Sequence, residues 1–244
     1  MLTTSTHYEY DDNETDWQLI QRMMTGEGAE AELRARHYED RAHLTQRKQD
    51  LDHTPRTQHL VSRMAGMLMR REEDVERDLY KITDEDLEAA GRDGEDYRVI
   101  LTQLVETLLA YNRAYAVITG AGIKVIAPLD VPNWSGREVV VKGSRTLSDG
   151  VFADTEQLET WTRYTPVGYE VYRQIKDDQA GQVCEEKIGE GEWGDEIYVV
   201  DQEGMPTAPV LRIDMPWQVR WGLLLAKKHR AIMELESRRD FALS

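Results

Sequence analysis

The sequence contains one cysteine, Cys184, among its 244 residues. A single cysteine excludes an internal disulfide and a cysteine-rich zinc site, and it favours synthesis in the reducing cytoplasm. Long apolar runs are also missing, because no stretch approaches the roughly 20 apolar residues of a transmembrane helix. The chain begins with the polar and acidic segment MLTTSTHYEYDDNETD, which is unlike a secretory signal. We therefore expect no association with a membrane.

Basic residues are also scarce relative to acidic ones. The 46 acidic residues outnumber the 30 lysines and arginines, and the formal net charge is −16. Contacts to phosphate need clustered Lys and Arg, so this charge argues against a protein that wraps DNA or binds an anionic membrane surface. It leaves open a surface that repels DNA and lets it slide past.

Hydrophobic residues make up 40% of the chain and charged residues 31%. The hydrophobic fraction is above that of disordered chains, but the chain is more polar than an average globular protein. The length is sufficient for one large domain or two small ones with a packed core. Two explanations fit the modest apolar content. Either much of the chain is surface, as in an elongated protein, or the chain is incomplete without partner subunits.

Helical periodicity dominates the first half. We predict a flexible acidic arm over residues 1–14 and a helical region over residues 15–112. Asp16 is the expected N-cap of the first helix, and Thr54-Pro55 is the expected start of another. The strongest helical pattern covers residues 97–109. We expect residues 100–109 to pack against an apolar stripe on the helix after Pro55, formed by Leu60, Met64, Met67 and Leu68.

The period then changes from helical to extended, which predicts a β-rich region over residues 113–215 and a C-terminal helix over residues 216–244. Helices followed by an antiparallel β meander and one long helix are typical of the α+β class, not of a parallel α/β fold. The predicted strands are 115–118, 123–127, 138–142, 159–164, 170–175, 183–188, 196–200 and 210–213.

Residues 177–204 hold ten acidic residues and one lysine, a local charge of −9. Like charges at this density would repel one another if they were buried, and no cluster of basic residues lies nearby in the sequence. We predict that this segment, called the acidic segment below, is a solvent-exposed β-hairpin region and not a ligand site.

Patterns for catalysis or cofactor binding are weak. Gly189-Glu-Gly191-Glu-Trp-Gly194 matches G-x-G-x-x-G, but a strand follows it instead of a helix, so we interpret it as a hairpin loop. No phosphate-binding G-x-x-x-x-G-K-[ST] loop occurs. A Ser-His-Asp triad dispersed along the chain stays possible. We expect no catalytic, cofactor-binding or metal-binding residues and no cofactor.

Histidines and paired aspartates are the other residue types that could form such sites. The histidines lack metal-ligand spacing, and their polar surroundings predict solvated side chains. The pairs Asp84 with Asp86, and Asp177 with Asp178, are interpreted as cap and turn residues. The six tryptophans either pack in the core or anchor an interface, where tryptophan is enriched.

Several motifs occur in an order that resembles a known family. Trp17-Gln-Leu-Ile is followed by a helix ending Gly-Met-Leu-Met-Arg at Arg70, and by Pro-Leu-Asp-Val-Pro-Asn-Trp at residues 128–134. Residues 161–175, then 209–213 with 215–244, complete the series. Together they resemble the N-terminal wing part of a tailed-bacteriophage portal protein, the head-to-tail connector. The resemblance extends from about Trp17 to the C-terminus and implies one wing-like domain.

The resemblance implies a structural subunit and not an enzyme. Such a protein forms a ring, usually of twelve copies, at one capsid vertex, where DNA passes and the tail attaches. The implied partners are further copies of the chain, capsid, adaptor and terminase proteins, and double-stranded DNA that passes without sequence-specific binding. The implied location is the virion, assembled in the host cytoplasm.

Two alternatives stand beside this interpretation. One is another virion assembly or adaptor protein, and the other is an enzyme whose site is dispersed along the sequence. The chain also stops where the family continues into its stem and clip. It is therefore expected to be either a fragment or a divergent protein that shares the wing alone.

The C-terminal helix is the predicted subunit contact. It combines apolar residues with a net charge of +3 over residues 217–243 in an otherwise acidic chain. We expect it to face an acidic surface of the next copy. The alternative is a core helix whose charges only face solvent. The candidate interface residues are Trp217, Trp221, Lys227, Lys228 and Arg230.

Overall fold

A computed structural model describes residues 5–37, 39–51, 53–69, 87–147, 156–176, 183–193, 199–200, 203–216 and 220–243. Several sequence predictions fall outside these ranges. They concern the predicted cap and turn residues Asp84, Asp86, Asp177 and Asp178, the interface candidate Trp217, and most of the predicted strand 196–200.

Five α-helices lie in the described ranges. They are α1 (Tyr8–Thr25), α2 (Arg41–Gln49), α3 (Arg56–Met69), α4 (Tyr97–Tyr111) and α5 (Trp221–Leu243). A 3₁₀ turn, Ala29–Glu32, follows α1. The Asp40 carboxylate caps α2 by accepting a 2.8 Å hydrogen bond from the backbone N–H of His43, which satisfies one of the free donors at that helix end.

Two sheets occupy the chain between α4 and α5. The strands are β1 (Arg113–Thr119), β2 (Gly122–Ile126), β3 (Asn133–Trp134), β4 (Val139–Leu147), β5 (Glu156–Tyr164), β6 (Gly168–Lys176), β7 (Val183–Glu192) and β8 (Val210–Asp214). One sheet has the order β2-β1-β8, and the other is an antiparallel meander, β3-β4-β5-β6-β7. The predicted α+β class, with helices before and after a β meander, is confirmed.

The chain divides into two compact units that interleave along the sequence. The first contains Met1–Asn13, Leu79–Leu101 and Ala114–Ile213, and therefore both sheets. The second contains Glu14–Asp78, Thr102–Arg113 and Asp214–Ser244, and is helical.

The core of the first unit lies on the apolar faces of its strands. Tyr115 and Val117 on β1 are buried together with Val139 and Val141 on β4, since alternate residues of a strand face the same side. On the opposite side of the meander, polar side chains pair across strands. Arg163 on β5 forms ion pairs with Glu138 at 2.6 Å and Glu170 at 3.2 Å.

The predicted flexible arm is wrong for residues 8–14, which form the first turns of α1. Tyr10 is buried, its hydroxyl donates a 3.0 Å hydrogen bond to the Leu129 carbonyl, and it accepts one of 3.2 Å from the Lys142 ammonium. The helix therefore begins well before the expected cap at Asp16, because contacts distant in sequence hold its first turns.

In the second unit, α3 packs against α5. The buried face of α3 carries Thr57, Val61 and Ala65. The predicted stripe is wrong, because Leu60, Met67 and Leu68 are exposed and do not form the buried face. Small side chains at four-residue spacing allow a close approach of the two helices, which larger side chains would prevent.

Strand β7 carries much of the described part of the acidic segment and lies at the edge of the meander. Gly189 and Gly191 lie within this strand, so the predicted hairpin loop over 189–194 is wrong at these two positions. Neutralising partners come from the chain itself. Arg173 on β6 pairs with Glu186, and Lys187 pairs with Glu170 and Glu190.

Candidate subunit interface

Helix α5 has one buried face and one exposed face. Leu223, Ala226 and Met233 are buried, as are the polar residues His229 and Ser237. Residues 0, 3, 7, 10 and 14 positions apart lie on one side of an α-helix. On α5 this spacing produces an exposed row, called the outer stripe below, that contains Trp221, Leu224, Lys228, Ala231 and Leu235.

The predicted interface residues have different surroundings. Trp221 is 38% exposed, and Lys227 and Lys228 are exposed. Neither lysine forms an ion pair with any residue in the described part of the chain. Arg230 is half-buried and lies 3.4 Å from a Glu32 carboxylate oxygen, so its charge is already partly neutralised within the unit. The structure thus places two predicted lysines and one tryptophan on the free surface.

A cavity of about 800 Å³ adjoins the outer stripe. One wall is the segment after the 3₁₀ turn, and the other is α5. We call this cavity the basic groove, and its lining residues are Arg34, Ala35, Arg36, His37, Arg230, Ala231, Glu234 and Leu235. Ala231 and Leu235 belong to both the groove and the outer stripe, so the two surfaces are continuous.

Arg47 on α2 holds the first wall of the groove against α5. Its buried guanidinium donates hydrogen bonds of 2.9 and 2.8 Å to Glu39, and one of 2.7 Å to the Arg34 carbonyl. It also donates one of 3.0 Å to the Ser237 hydroxyl on α5. These are charge-assisted bonds in a site with little water, so they fix the position of the segment firmly.

Glu234 completes this contact from the α5 side. Its carboxylate accepts a 2.8 Å hydrogen bond from the backbone N–H of Arg34 and lies 3.7 Å from Arg47. Its negative charge is thus balanced by partners inside the unit and is not available to another molecule. The Arg34 side chain is exposed and forms no ion pair with a residue that the structure describes. The groove therefore presents positive charge above an apolar floor.

Sequence reasoning missed the contribution of Arg34, Arg36 and His37. It grouped residues 29–50 with the helical region, whereas residues 33–37 and Glu39 lie outside the helices, between the 3₁₀ turn and α2. The available signal was a short basic cluster, Arg-Ala-Arg-His, in a chain with net charge −16. Its position beside α5 depends on Arg47 and could not be inferred from spacing.

The prediction of solvated histidines is wrong for His229, which is buried on α5. Its Nδ1 atom lies 2.9 Å from the Thr57 hydroxyl oxygen of α3. Burial lowers the pKa of His229, and the nearby His53 and Arg56 lower it further. His229 therefore belongs to the contact between α3 and α5, not to the exposed surface.

A second cavity, of about 400 Å³, lies in the first unit beside the β1–β2 turn. Its walls include Tyr164, Tyr169 and Trp193, with Arg92 and Glu192. The rings of Tyr164 and Trp193 are parallel within 3°, and all three aromatic residues belong to or pack against the core of this unit. Burial raises the pKa of Tyr164. Packing of the core therefore explains why these three rings lie together.

The Pro-Leu-Asp-Val-Pro-Asn-Trp motif has a packing role. It forms a 3₁₀ turn, Pro128–Asp130, and strand β3, and Val131 is fully buried. The Trp134 ring stacks on His7 at 4.1 Å between centroids and lies 5.5 Å from the Arg212 guanidinium carbon. Among the other tryptophans, Trp17 and Trp161 are buried, which leaves Trp221 as the described tryptophan most available to a partner.

Within the described ranges, no three or more His, Cys, Asp or Glu side chains are grouped so that they could hold a metal ion. Among the same residues, no helix has the length and apolar character needed to cross a membrane.

Comparison with known proteins identifies no family. No family model matches the chain, and no curated protein matches it at a significant level.

Proposed function

We propose that this chain is a structural subunit of a viral portal ring, which occupies a capsid vertex, lets DNA pass and serves as the point of head-tail attachment. The observation that carries the proposal is the outer stripe of α5. Trp221, Leu224 and Leu235 are exposed apolar side chains beside the unpaired charge of Lys227 and Lys228. Apolar anchors with a charged rim are typical of docking surfaces.

The order of motifs from Trp17 to the C-terminal helix supports the portal interpretation over a generic assembly protein. In a ring, each copy uses one surface to bind a different surface of its neighbour. An apolar stripe beside exposed lysines, on a chain of net charge −16, suits such a head-to-tail contact, since acidic residues outnumber basic ones in the rest of the chain.

The acidic surplus supports the passage of DNA. Like charges repel, so an acidic surface near the path keeps phosphates from adhering while the duplex moves. The further partners under this proposal are capsid, adaptor and terminase proteins, and the ring would be assembled in the host cytoplasm and retained in the virion.

The size and shape of the purified protein test the proposal. Sedimentation velocity should show a particle of several hundred kDa, many times the 28.2 kDa of one chain. Negative-stain images should show a ring with an axial hole, and its mass should fall as salt screens the charged contact. A monomer or dimer at all salt concentrations would contradict the portal proposal and favour the dispersed-site enzyme.

A further inference from the structure

The cavity beside the β1–β2 turn, called the aromatic cavity below, contains polar groups that the packing of the first unit does not use. Tyr164 lines this cavity and is only 8% exposed. Its hydroxyl forms no hydrogen bond with any residue that the structure describes. A buried hydroxyl without a partner is costly, so a ligand that bonds to this group would recover part of that cost.

Arg92 supplies positive charge at the same cavity. Its side chain is exposed and forms no ion pair within the described ranges. Burial raises the pKa of Tyr164, and the Arg92 charge acts against this rise, so the guanidinium lies within electrostatic range of the Tyr164 hydroxyl. The backbone N–H of Arg92 also donates a 3.1 Å hydrogen bond to the Ile123 carbonyl of β2. A guanidinium placed in this way favours a ligand with a phosphate or carboxylate group.

The aromatic walls of the cavity are held in fixed positions. The Trp193 indole N–H donates a 2.8 Å hydrogen bond to the Thr165 carbonyl, and its ring is parallel to that of Tyr164 within 3°. The Tyr169 ring lies against Gly191, where a Cβ atom would be 2.6 Å from the ring atom Cε1. Gly191 therefore leaves the space that this ring occupies. Aromatic walls favour a planar ring in the ligand, since flat rings stack on one another.

Glu192 adds a hydrogen-bond acceptor to the cavity. It is exposed, and no cation in the described part of the chain pairs with it, Arg92 included. Two opposite charges thus line one cavity without forming an ion pair. A ligand that carries a donor on its ring and an anion at a second position satisfies both charges. A nucleobase with an amino group, joined to a phosphate, has this combination.

We propose that the aromatic cavity binds a nucleoside monophosphate whose base carries an amino group. The base lies against the aromatic rings, and its amino group donates to Glu192. The phosphate binds Arg92 and accepts a hydrogen bond from the Tyr164 hydroxyl. The volume of about 400 Å³ is within the range of roughly 300–1,000 Å³ that is typical of small-molecule pockets. This inference goes beyond the proposed ring and does not depend on it.

The same base and phosphate also occur at the end of a nucleic acid chain. A long polyanion is repelled by a protein of net charge −16, because affinity for its backbone requires clustered Lys and Arg. A single phosphate needs only the charge of Arg92. The charge of the protein therefore favours a free nucleotide.

Isothermal titration calorimetry of the purified chain tests the inference. The probes are AMP, GMP and CMP, and their matched counterparts without the amino group are IMP and UMP. At least one of the three should bind at a single site, about tenfold more tightly than its counterpart. No binding of any of the three at millimolar concentration would overturn the inference. Tighter binding of a single-stranded trinucleotide than of any mononucleotide would overturn the choice of a free nucleotide.

Two substitutions of exposed residues locate the ligand in the cavity. Arg92→Ala should weaken binding of the nucleotide about tenfold or more, and it should leave the affinity for the corresponding nucleoside unchanged. Glu192→Ala should remove the preference for an amino-bearing base. The matched controls are Arg137→Ala and Glu159→Ala, because these residues belong to the same unit, are exposed and are unpaired among the described residues. Both controls should bind the nucleotide as the wild type does.

Tyr164→Phe removes the buried hydroxyl and keeps the ring. It should weaken nucleotide binding without lowering the melting midpoint, because this hydroxyl has no partner to lose within the described ranges. Circular dichroism checks that each variant is folded. If the folded variants at Arg92, Glu192 and Tyr164 all bind as the wild type does, the nucleotide lies elsewhere and the inference fails. The sedimentation of the particle is a separate measurement, so this failure is distinguishable from failure of the proposed function.

Discussion

The Nδ1 atom of His229 lies 2.9 Å from the hydroxyl oxygen of Thr57, and both side chains are buried where α5 meets α3. Burial lowers the pKa of His229, and the neighbouring His53 ring and Arg56 lower it further. The Met23 carbonyl and Glu236 act in the opposite direction but do not offset the burial. The folded unit therefore favours the neutral form of His229.

This arrangement predicts a pH-dependent stability. The folded pKa lies below the unfolded value of about 6.5, so the unfolded chain binds the proton first as the pH falls. The contribution of His229 is fully present above about pH 6.5 and is lost as the pH falls through the folded pKa. The free energy of unfolding, measured by urea denaturation between pH 7.5 and 5, should decrease.

Other groups also titrate in this range, so the variant His229→Gln is the control. Glutamine can keep a hydrogen bond to Thr57 but has no proton to gain. The decrease between pH 7.5 and 5 should be smaller in this variant than in the wild type. Equal decreases in the two proteins would show that His229 does not contribute to the pH dependence.

A second prediction concerns the buried ion pair between Arg47 and Glu39. Arg47→Ala should lower the free energy of unfolding by about 3–5 kcal/mol, because it leaves a buried carboxylate without its partner. The pair of Arg56 with Glu236 is the matched comparison, since it is also an Arg–Glu pair but is 36% and 42% exposed. Arg56→Ala should cost about 1 kcal/mol or less.

The measurement is chemical denaturation of both variants in parallel. If the two substitutions cost the same, the Arg47 network does not hold Arg34 and Glu39 more strongly than a surface pair holds its partners. The basic groove would then have a loosely held wall.

A third prediction uses two helical glycines. A Cβ atom at Gly222 would overlap the carbonyl oxygen of Ala110 on α4, whereas a Cβ atom at Gly66 on α3 meets nothing within 4 Å. Gly222→Ala should therefore destabilise the protein by about 1–3 kcal/mol through overpacking. Gly66→Ala should stabilise it by about 0.5–1 kcal/mol, because alanine favours the helix. Melting midpoints that shift in the same direction would contradict this contrast.

The sequence was sufficient for the order and class of the elements. The helix predicted over residues 97–109 corresponds to α4, Tyr97–Tyr111, because its apolar residues follow a single strong period. The predicted strand 170–175 corresponds to β6, Gly168–Lys176, because the pattern typical of a strand is also set by neighbouring residues. Local periodicity is a property of neighbouring residues, so it can be read without knowledge of the tertiary contacts.

Which face of a helix is buried was harder to predict. Helix α3 carries a large apolar row with Leu60 and Met67, and a small one with Thr57, Val61 and Ala65. Hydrophobicity favours the large row, but the structure buries the small one. The choice depends on how closely α5 approaches, and that distance is set by residues more than 150 positions away.

In the candidate site, too, local properties were predicted and tertiary contacts were not. Lys227 and Lys228 were predicted from the charge of one helix, a local property, and they are exposed as the interface prediction requires. Their neighbours Arg34 and His37 were missed, because they reach α5 through the contacts of Arg47. When a site is assembled from segments that are distant in the sequence, the spacing of its residues along the chain does not predict it.

The last prediction concerns Leu235, which lies on both the outer stripe and the floor of the basic groove. Leu235→Asp places a negative charge on the exposed apolar row of α5, where we propose that the next copy binds. Since Leu235 is 60% exposed, the substitution should change the free energy of unfolding by about 0.5 kcal/mol or less. It should weaken self-association by about 2 kcal/mol or more, because an anchor at the centre of a contact is lost.

Met67→Asp is the control for this last variant, because Met67 is 63% exposed and carries the same change of charge on α3. Sedimentation velocity at equal protein concentration should show dissociated subunits for Leu235→Asp and intact particles for Met67→Asp. If both variants remain assembled, the outer stripe is a solvated face of a core helix. If only Met67→Asp dissociates, the subunit contact lies on the exposed apolar row of α3 instead.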